Sequence, residues 1–245
     1  MNKFIFLVAV VIISIPTNSQ SWQWGKRGGS TDNLNVLGFN RPEEVYSIVT
    51  DSQNNIYILS NVGKNGLDID GNVKTNFGDN NPLTDVALAS FSCDGTFRWS
   101  KIIGGRGYDV VNSIQIDNQD NIYIAGKFGY CGDPAFPPRI ESDVILLQNP
   151  VDCSVIFLAK YNSNGVLQWF KRPQVEGVNL GTGLGSTFSK GFALDNQGNG
   201  FWLVQIPPGT YADGAFTNTL TGSNSFIFKY NTNGVFYRLR QLICN

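Results

Sequence analysis

Three short tracts recur in a fixed order along this chain, and that recurrence limits its fold more than any other feature. DGTFRWSK at Asp94–Lys101 returns as NGVLQWFK at Asn164–Lys171 and, altered, as NGVFYRLR at Asn233–Arg240. DNQDNIYIAG at Asp117–Gly126 has one copy from Asp51, DSQNNIYILS, and another from Asp195, DNQGNGFWLV. VALASFSCDG, IFLAKYNSNG and FIFKYNTNG lead into the three Asp/Asn-Gly tracts, and a leading fragment, WQWGKRGG, starts at Trp22. Trp24, Trp99 and Trp169 recur every seventy to seventy-five residues, and Arg238 takes the next equivalent place. Such a period means one supersecondary unit per repeat. No unit can bury its apolar faces alone, so each must stack on its neighbours.

Each unit reads as four strands. VYSIVTD (Val45–Asp51) and NIYILSNV (Asn55–Val62) form one hairpin across a short polar turn. VALASFS (Val86–Ser92) and TFRWSKII (Thr96–Ile103) form a second across CDG. The order repeats in Val110–Asp117, Asn121–Phe128, Val155–Asn162 and Val166–Arg172, and again in Ser189–Asp195, Gly200–Ile206, Ser225–Asn231 and Val235–Leu242. VIFLA and NIYIAG are apolar on both faces, as inner strands between stacked sheets must be. The last strand of the first unit alternates, and Phe97, Trp99 and Lys101 are expected to share one face. No window has sustained helical periodicity. The 27 glycines, 13% aromatics and only 15% charged residues fit an all-β chain with many tight turns.

Formal net charge is −1, so no basic face for nucleic acid is evident, and the chain has no histidine. That absence removes His-based triads, His general bases and His-ligated metals together. The first 19 residues read as an export signal: Lys3 is followed by the apolar run Phe4–Ile15, then by Pro16 and the small, polar Thr17-Asn18-Ser19. The apolar run is shorter than the roughly 20 residues that span a bilayer. No later segment could span one, so a secreted, cell-surface or periplasmic destination is expected. Four cysteines in an exported chain permit disulfides. Cys131 and Cys153 flank an insertion, and a bridge between them would close a loop of about 20 residues and contribute roughly 3 kcal/mol.

The pattern NG-x-x-x-W-x-K-x-x-GG, then Asp, then D-x-x-x-NIYI-x-G-x-F, then F-x-x-K-Y-N-x-NG resembles the SBBP-type β-propeller repeats of secreted bacterial proteins, especially those of Bacteroidota. The resemblance runs from Trp22 to about Leu242. It is most specific where Trp99, Gly104, Gly105, Asp117, Asn121, Tyr123 and Gly126 occur together. It weakens in the third unit, where Arg238 replaces Trp and Gly200 replaces the apolar residue at Ile122. The resemblance implies propeller blades and export, and little about activity. The expected fold is therefore all-β: four-stranded antiparallel blades at about 45–103, 110–172 and 189–242 within a domain 20–245. An orphan strand at 22–27 precedes them, in an open or incomplete propeller. Self-association could complete the ring.

Several residue groups suggest chemistry. Asp51, Asp117 and Asp195, each followed by an Asn four positions on, could start metal loops. Calcium needs six to eight oxygen ligands, however, and an Asx-type hairpin turn accounts for the same residues. DIDGN (Asp68–Asn72) opens like an EF-hand loop but lacks the terminal glutamate. Trp24, Trp99 and Trp169 could stack on sugars, but their common repeat position suggests wedges between blades. Tyr130, Phe136 and Arg139, on the Pro-rich insertion, are the best recognition candidates. Glu43-Glu44 and Glu141 with Asp143 are the available carboxylate pairs, and nothing in the sequence sets either at a glycosidase spacing. Sialidase-type boxes are absent. The expectation is a non-enzymatic binding or surface scaffold for a glycan or protein, without metal or cofactor. The alternatives are a carboxylate-dependent polysaccharide hydrolase or lyase, and a purely structural fragment of a longer propeller.

Overall fold

The computed structural model describes residues 24–30, 44–63, 66–77, 85–105, 107, 109–129, 136–140, 143–144, 155–173 and 187–241. Its strands in chain order are β1 (Gly28–Ser30), β2 (Val45–Thr50), β3 (Ile56–Val62), β4 (Leu67–Ile69), β5 (Asn72–Lys74), β6 (Asp85–Phe91) and β7 (Phe97–Gly104). They continue as β8 (Val110–Ile116), β9 (Ile122–Phe128), β10 (Arg139–Ile140), β11 (Asp143–Val144), β12 (Val155–Tyr161) and β13 (Leu167–Lys171). The last six are β14 (Phe188–Leu194), β15 (Gly200–Ile206), β16 (Gly209–Tyr211), β17 (Phe216–Asn218), β18 (Asn224–Tyr230) and β19 (Phe236–Gln241). No described residue is helical.

Three four-stranded antiparallel meanders follow one another: β2-β3-β6-β7, β8-β9-β12-β13 and β14-β15-β18-β19. They form an open row of blades, an incomplete propeller-type arrangement with no closed barrel. Their first strands touch in sequence, β2 to β8 and β8 to β14. One core lies between blades one and two, where Tyr57, Leu59, Val86 and Leu88 meet Ile122, Ile124, Phe157 and Tyr161. The next joins Tyr123, Ala125, Ile156 and Leu158 to Trp202, Val204, Phe226 and Phe228. β6 and β12 are buried at every residue, whereas β18 alternates between buried and half-exposed positions. The sequence pattern is similar in all three, but among the described residues nothing covers the far face of blade three.

Two expectations need correction. The orphan strand was placed at 22–27, but Trp24–Arg27 carries no ladder and the strand is Gly28–Ser30. The Arg27 backbone is tied instead to the β4–β5 turn: Asp70 N donates to Arg27 O at 3.2 Å, and Arg27 N donates to the Asp70 carboxylate at 3.2 Å. Phe97 and Trp99 do not share a face either. A bulge pairs Ser90 with Trp99 and Phe91 with Phe97, leaving Arg98 as the extra residue. The extra residue turns Phe97 toward Ala89 and Phe91, and Trp99 toward blade two. The same bulge recurs at Gln168 and Tyr237.

The second hairpin of each blade turns on Asp94-Gly95, Asn164-Gly165 or Asn233-Gly234, with each glycine at a φ between +72° and +82°. In blades two and three the turn is fixed by Asn162 and Asn231, whose side-chain oxygens each accept two backbone N–H groups at 2.9–3.0 Å. A Cβ on Gly165 would stand 2.7 Å from the Trp99 ring, whereas one on Gly71 would meet nothing. Gly165→Ala should therefore combine left-handed backbone strain with overpacking and lose roughly 2–4 kcal/mol, against about 1–2 for Gly71→Ala. Urea unfolding of the two variants measures the difference. Equal losses would mean that the indole does not press on the turn.

Candidate functional site

The recurring side chains converge on the seams between blades. Asp51 starts the first-hairpin turn of blade one. Its carboxylate accepts from Gln53 N, Asn55 N and Asn55 Nδ2 at 2.8–2.9 Å, and from Tyr57 Oη at 2.8 Å. Asp117 repeats the set with Gln119, Asn121 and Tyr123. Asp195 repeats it with Gln197 and Asn199, but Phe201 at the Tyr position offers no hydroxyl. Burial pushes the Asp51 and Asp117 pKa values up, yet the donors outweigh it and both lie below the usual carboxylate value. Asp195 is lowered mainly by its bond from Asn199. Burial, opposed by Arg98 and aided by Asp51, raises the Tyr57 pKa to about 12. These carboxylates act as turn anchors whose acceptor sites are filled by this chain.

At the two seams between blades, an indole and a cation reach one carbonyl of the following blade's second-hairpin turn. Trp99 Nε1 donates to Ser163 O at 3.1 Å, and an Arg98 guanidinium nitrogen donates to the same atom at 3.1 Å. Trp169 Nε1 and Lys160 Nζ donate to Thr232 O at 3.0 and 3.2 Å. Lys160 also lies 3.4 Å from Asp117, in a pair nearly closed to solvent. In blade one the equivalent of Lys160 is Ser90, so Arg98 supplies the charge from the next strand and binds Ser90 Oγ and Tyr57 Oη, each at 3.0 Å. Trp24 fits the same scheme: its Nε1 donates to Cys93 O at 3.2 Å, and its ring lies where a Gly95 Cβ would be. The three repeated tryptophans are thus wedges on the next blade.

A second contact runs the other way. The insertion between the second and third strands of each blade reaches back to the outer strand of the blade before. β10 pairs with the end of β7, Arg139 opposite Gly104 and Ile140 opposite Ile103. β4 pairs with β1, Asp68 opposite Gly29. In blade three, Ala212 N donates to Pro173 O just beyond β13. Gly105, next to the first of these contacts, lies where a Cβ would crowd the Pro138 backbone. The DIDGN tract is the β4–β5 turn, with Asp68 held by Arg27 at 2.8 Å and Asp70 by Lys26 at 3.0 Å. No group of three His, Cys, Asp or Glu side chains among the described residues is placed to hold a metal.

Of the proposed recognition residues, Tyr130 lies outside the described residues, as do Cys131 and Cys153, for which a bridge is expected, and the segment 1–19. Phe136 and Arg139 sit at the back-reaching contact. Arg139 is half-buried, with its guanidinium 5.8 Å from the Phe77 ring centre. Glu44 is exposed, and Glu43 and Glu141 lie outside the described residues, as does the side chain of Asp143. Cys93 is an exposed free thiol.

One pair carries no motif that would mark it in advance. Asp85 and Asp109 are each 1% exposed, and both would crowd a Cβ on Gly104, Asp85 Oδ1 at 2.3 Å and Asp109 Oδ2 at 2.8 Å. Asp85 accepts from Phe77 N, and Asp109 accepts from Gly105 N and Gly129 N. Burial, and then the Asp85 carboxylate, push the Asp109 pKa well above its usual value despite the two backbone donors. The two residues are 24 positions apart, and neither belongs to a recognisable acid motif. The one available sign was a lone Asp after the Gly-Gly pair.

A groove of about 310 Å³ opens on the leading face of blade one. Lys26–Gly29 forms one wall, and Ile58, Ala89 and Phe91 lie in its floor.

A family model described as a β-propeller repeat, SBBP, matches residues 98–127, from the outer strand of blade one to the second strand of blade two. No curated protein matches the chain.

A carboxyl whose folded pKa is raised binds its proton more tightly when folded. Its stabilisation is complete below the unfolded value of about 3.9 and is lost as pH rises through the folded one. Asp85→Asn should place an amide N–H against Asp109 and remove the repulsion. Its unfolding free energy should exceed that of the parent by an amount that grows as pH rises above the unfolded value of about 3.9. Parallel pH profiles from urea titrations would show that the two carboxyls do not interact.

Proposed function

We propose that this chain is an exported, non-enzymatic binding or surface scaffold built from β-propeller-type blades. The observation that carries the reading is where the recurring polar groups go. Asp51, Asp117 and Asp195 anchor turns, and Trp24, Trp99, Trp169, Arg98 and Lys160 clasp the next blade. Such groups stiffen a frame and leave its inserted loops and end faces for recognition. The reading of residues 1–19 as an export signal supports a secreted or cell-surface location.

A hydrolase reading draws on the Asp85–Asp109 pair, in which burial and the neighbouring carboxylate raise the Asp109 pKa, a pattern that often marks acid–base catalysis. Here the pair is 1% exposed on each side and bonded to backbone N–H groups, which suits a structural role.

The test combines location with turnover. Expression with the native leader should deliver a chain that begins at Gln20 to the medium or the cell surface, and incubation with a panel of plant, algal and bacterial polysaccharides should release no new reducing ends. Turnover that disappears in Asp109→Asn would replace the scaffold with an enzyme, and a chain retained in the cytoplasm would remove the export component.

A further inference from the structure

The three seam carbonyls are not equally served. Ser163 O and Thr232 O each receive an indole N–H and a cation, whereas among the described residues Cys93 O receives only the Trp24 indole, at 3.2 Å. The seam in front of blade one therefore has its wedge but lacks its charge.

It lacks a strand as well. β7 has β10 on one edge and β6 on the other, joined at Ile103 on both sides. β1 stands in the same relation to blade one as β7 does to blade two. It carries β4 on one edge, and among the described residues no strand lies on the other. The groove of about 310 Å³ borders that bare edge, with Lys26–Gly29 as a wall and Ile58, Ala89 and Phe91 beneath. It occupies the place where the third strand of a preceding blade would run.

The seam between blades two and three shows what such a strand presents. Along β12, Ile156 and Leu158 are fully buried against blade three, and Lys160, two positions further on, reaches Thr232 O. The missing occupant is thus defined by aliphatic side chains at two alternate positions and a cation at the next.

We propose that the groove is a β-augmentation site for an extended strand of another protein. The strand pairs with the bare edge of Trp24–Ser30, sets its two aliphatic side chains over Ile58 and Phe91, and delivers a lysine or arginine to Cys93 O. A second intact copy does not meet this description. Its blade three already has a fourth strand, β19, beside β18, where Trp24–Ser30 would have to lie, and that strand has Arg238 instead of a tryptophan. The proposal deepens the binding-scaffold reading and rests on it.

The probe is a labelled synthetic peptide with the sequence of residues 154–163, SVIFLAKYNS, titrated with the full chain and followed by fluorescence anisotropy. Saturable binding is expected. The peptide carrying Lys160→Ala should bind roughly tenfold more weakly, as loss of one charge-assisted hydrogen bond predicts. In the protein, Ile58→Lys should abolish binding, with its melting temperature confirming the fold. Ser60→Arg, at a half-exposed position on the same groove, tests the site should Ile58→Lys not fold. Equal affinity for a scrambled peptide, or undiminished binding by Ser60→Arg, would overturn the site. Light scattering that finds a dimer of the unliganded chain, lost in Ser60→Arg, would give the groove to a second copy and overturn the partner-strand assignment. None of these outcomes bears on polysaccharide turnover, which tests the scaffold reading separately.

Discussion

The structure depends on an indole seated on a turn glycine of the following blade. The contact needs three things at once: a left-handed glycine with no side chain, a flat ring large enough to cover the turn, and an exposed carbonyl for the indole N–H. Trp24 on Gly95, Trp99 on Gly165 and Trp169 on Gly234 meet all three. An indole wedge of this kind buries a large apolar area and satisfies its only polar group in one contact. It also fixes the offset between blades, because the ring can reach only one turn. Rings on the same sheet then brace it: Tyr57 lies 5.8 Å from Trp99, and Tyr123 lies 5.7 Å from Trp169.

The charges at the seams work because they are arranged in chains. A lysine buried beside a carboxylate is costly unless both have further partners. Lys160 has Asp117 and Thr232 O, and Asp117 has its turn amides and Tyr123. Blade one reaches the same end with different residues. Ser90 carries no charge, and Arg98, the bulged residue of the next strand, extends its guanidinium to Ser90, Tyr57 and Ser163 O. Constancy therefore resides in the position of the positive charge, not in the residue that supplies it.

This explains what could be read from the chain alone. The strands and their order were legible because the hairpin turns DG, NG and D-x-x-x-N punctuate the apolar runs and recur in phase. The wedge role of the tryptophans was legible from their common repeat position. Phe97 and Trp99 were misjudged because alternation assumes an unbroken ladder, and a one-residue bulge reverses every side chain beyond it. The first strand was placed too early because Trp24–Arg27 has the composition of an outer strand but lacks the inner neighbour that would make it one. Arg139 looked like a free recognition residue in a loop and proved to lie in a two-residue strand packed on Phe77. The Asp85–Asp109 pair was invisible because Asp85 opens β6 and Asp109 directly precedes β8, and only the folded chain brings both to Gly104.

In a row of stacked units, stability is a sum of nearest-neighbour contacts, and the two outermost described faces can be compared on that footing. They differ. At the trailing face, Lys229 lies over the Phe201 ring at 4.8 Å with Asp195 at 3.7 Å, as Lys160 lies over Tyr123 beside Asp117, and it has the Tyr237 ring at 5.7 Å besides. Arg238 and Arg240 are exposed on the outer strand. At the leading face the wedge, the turn carbonyl and an apolar floor remain arranged as they are between blades. The altered third tract, NGVFYRLR in place of NGVLQWFK, has Arg238 where the other two tracts have the indole. The seam that begins at Trp24 keeps its indole.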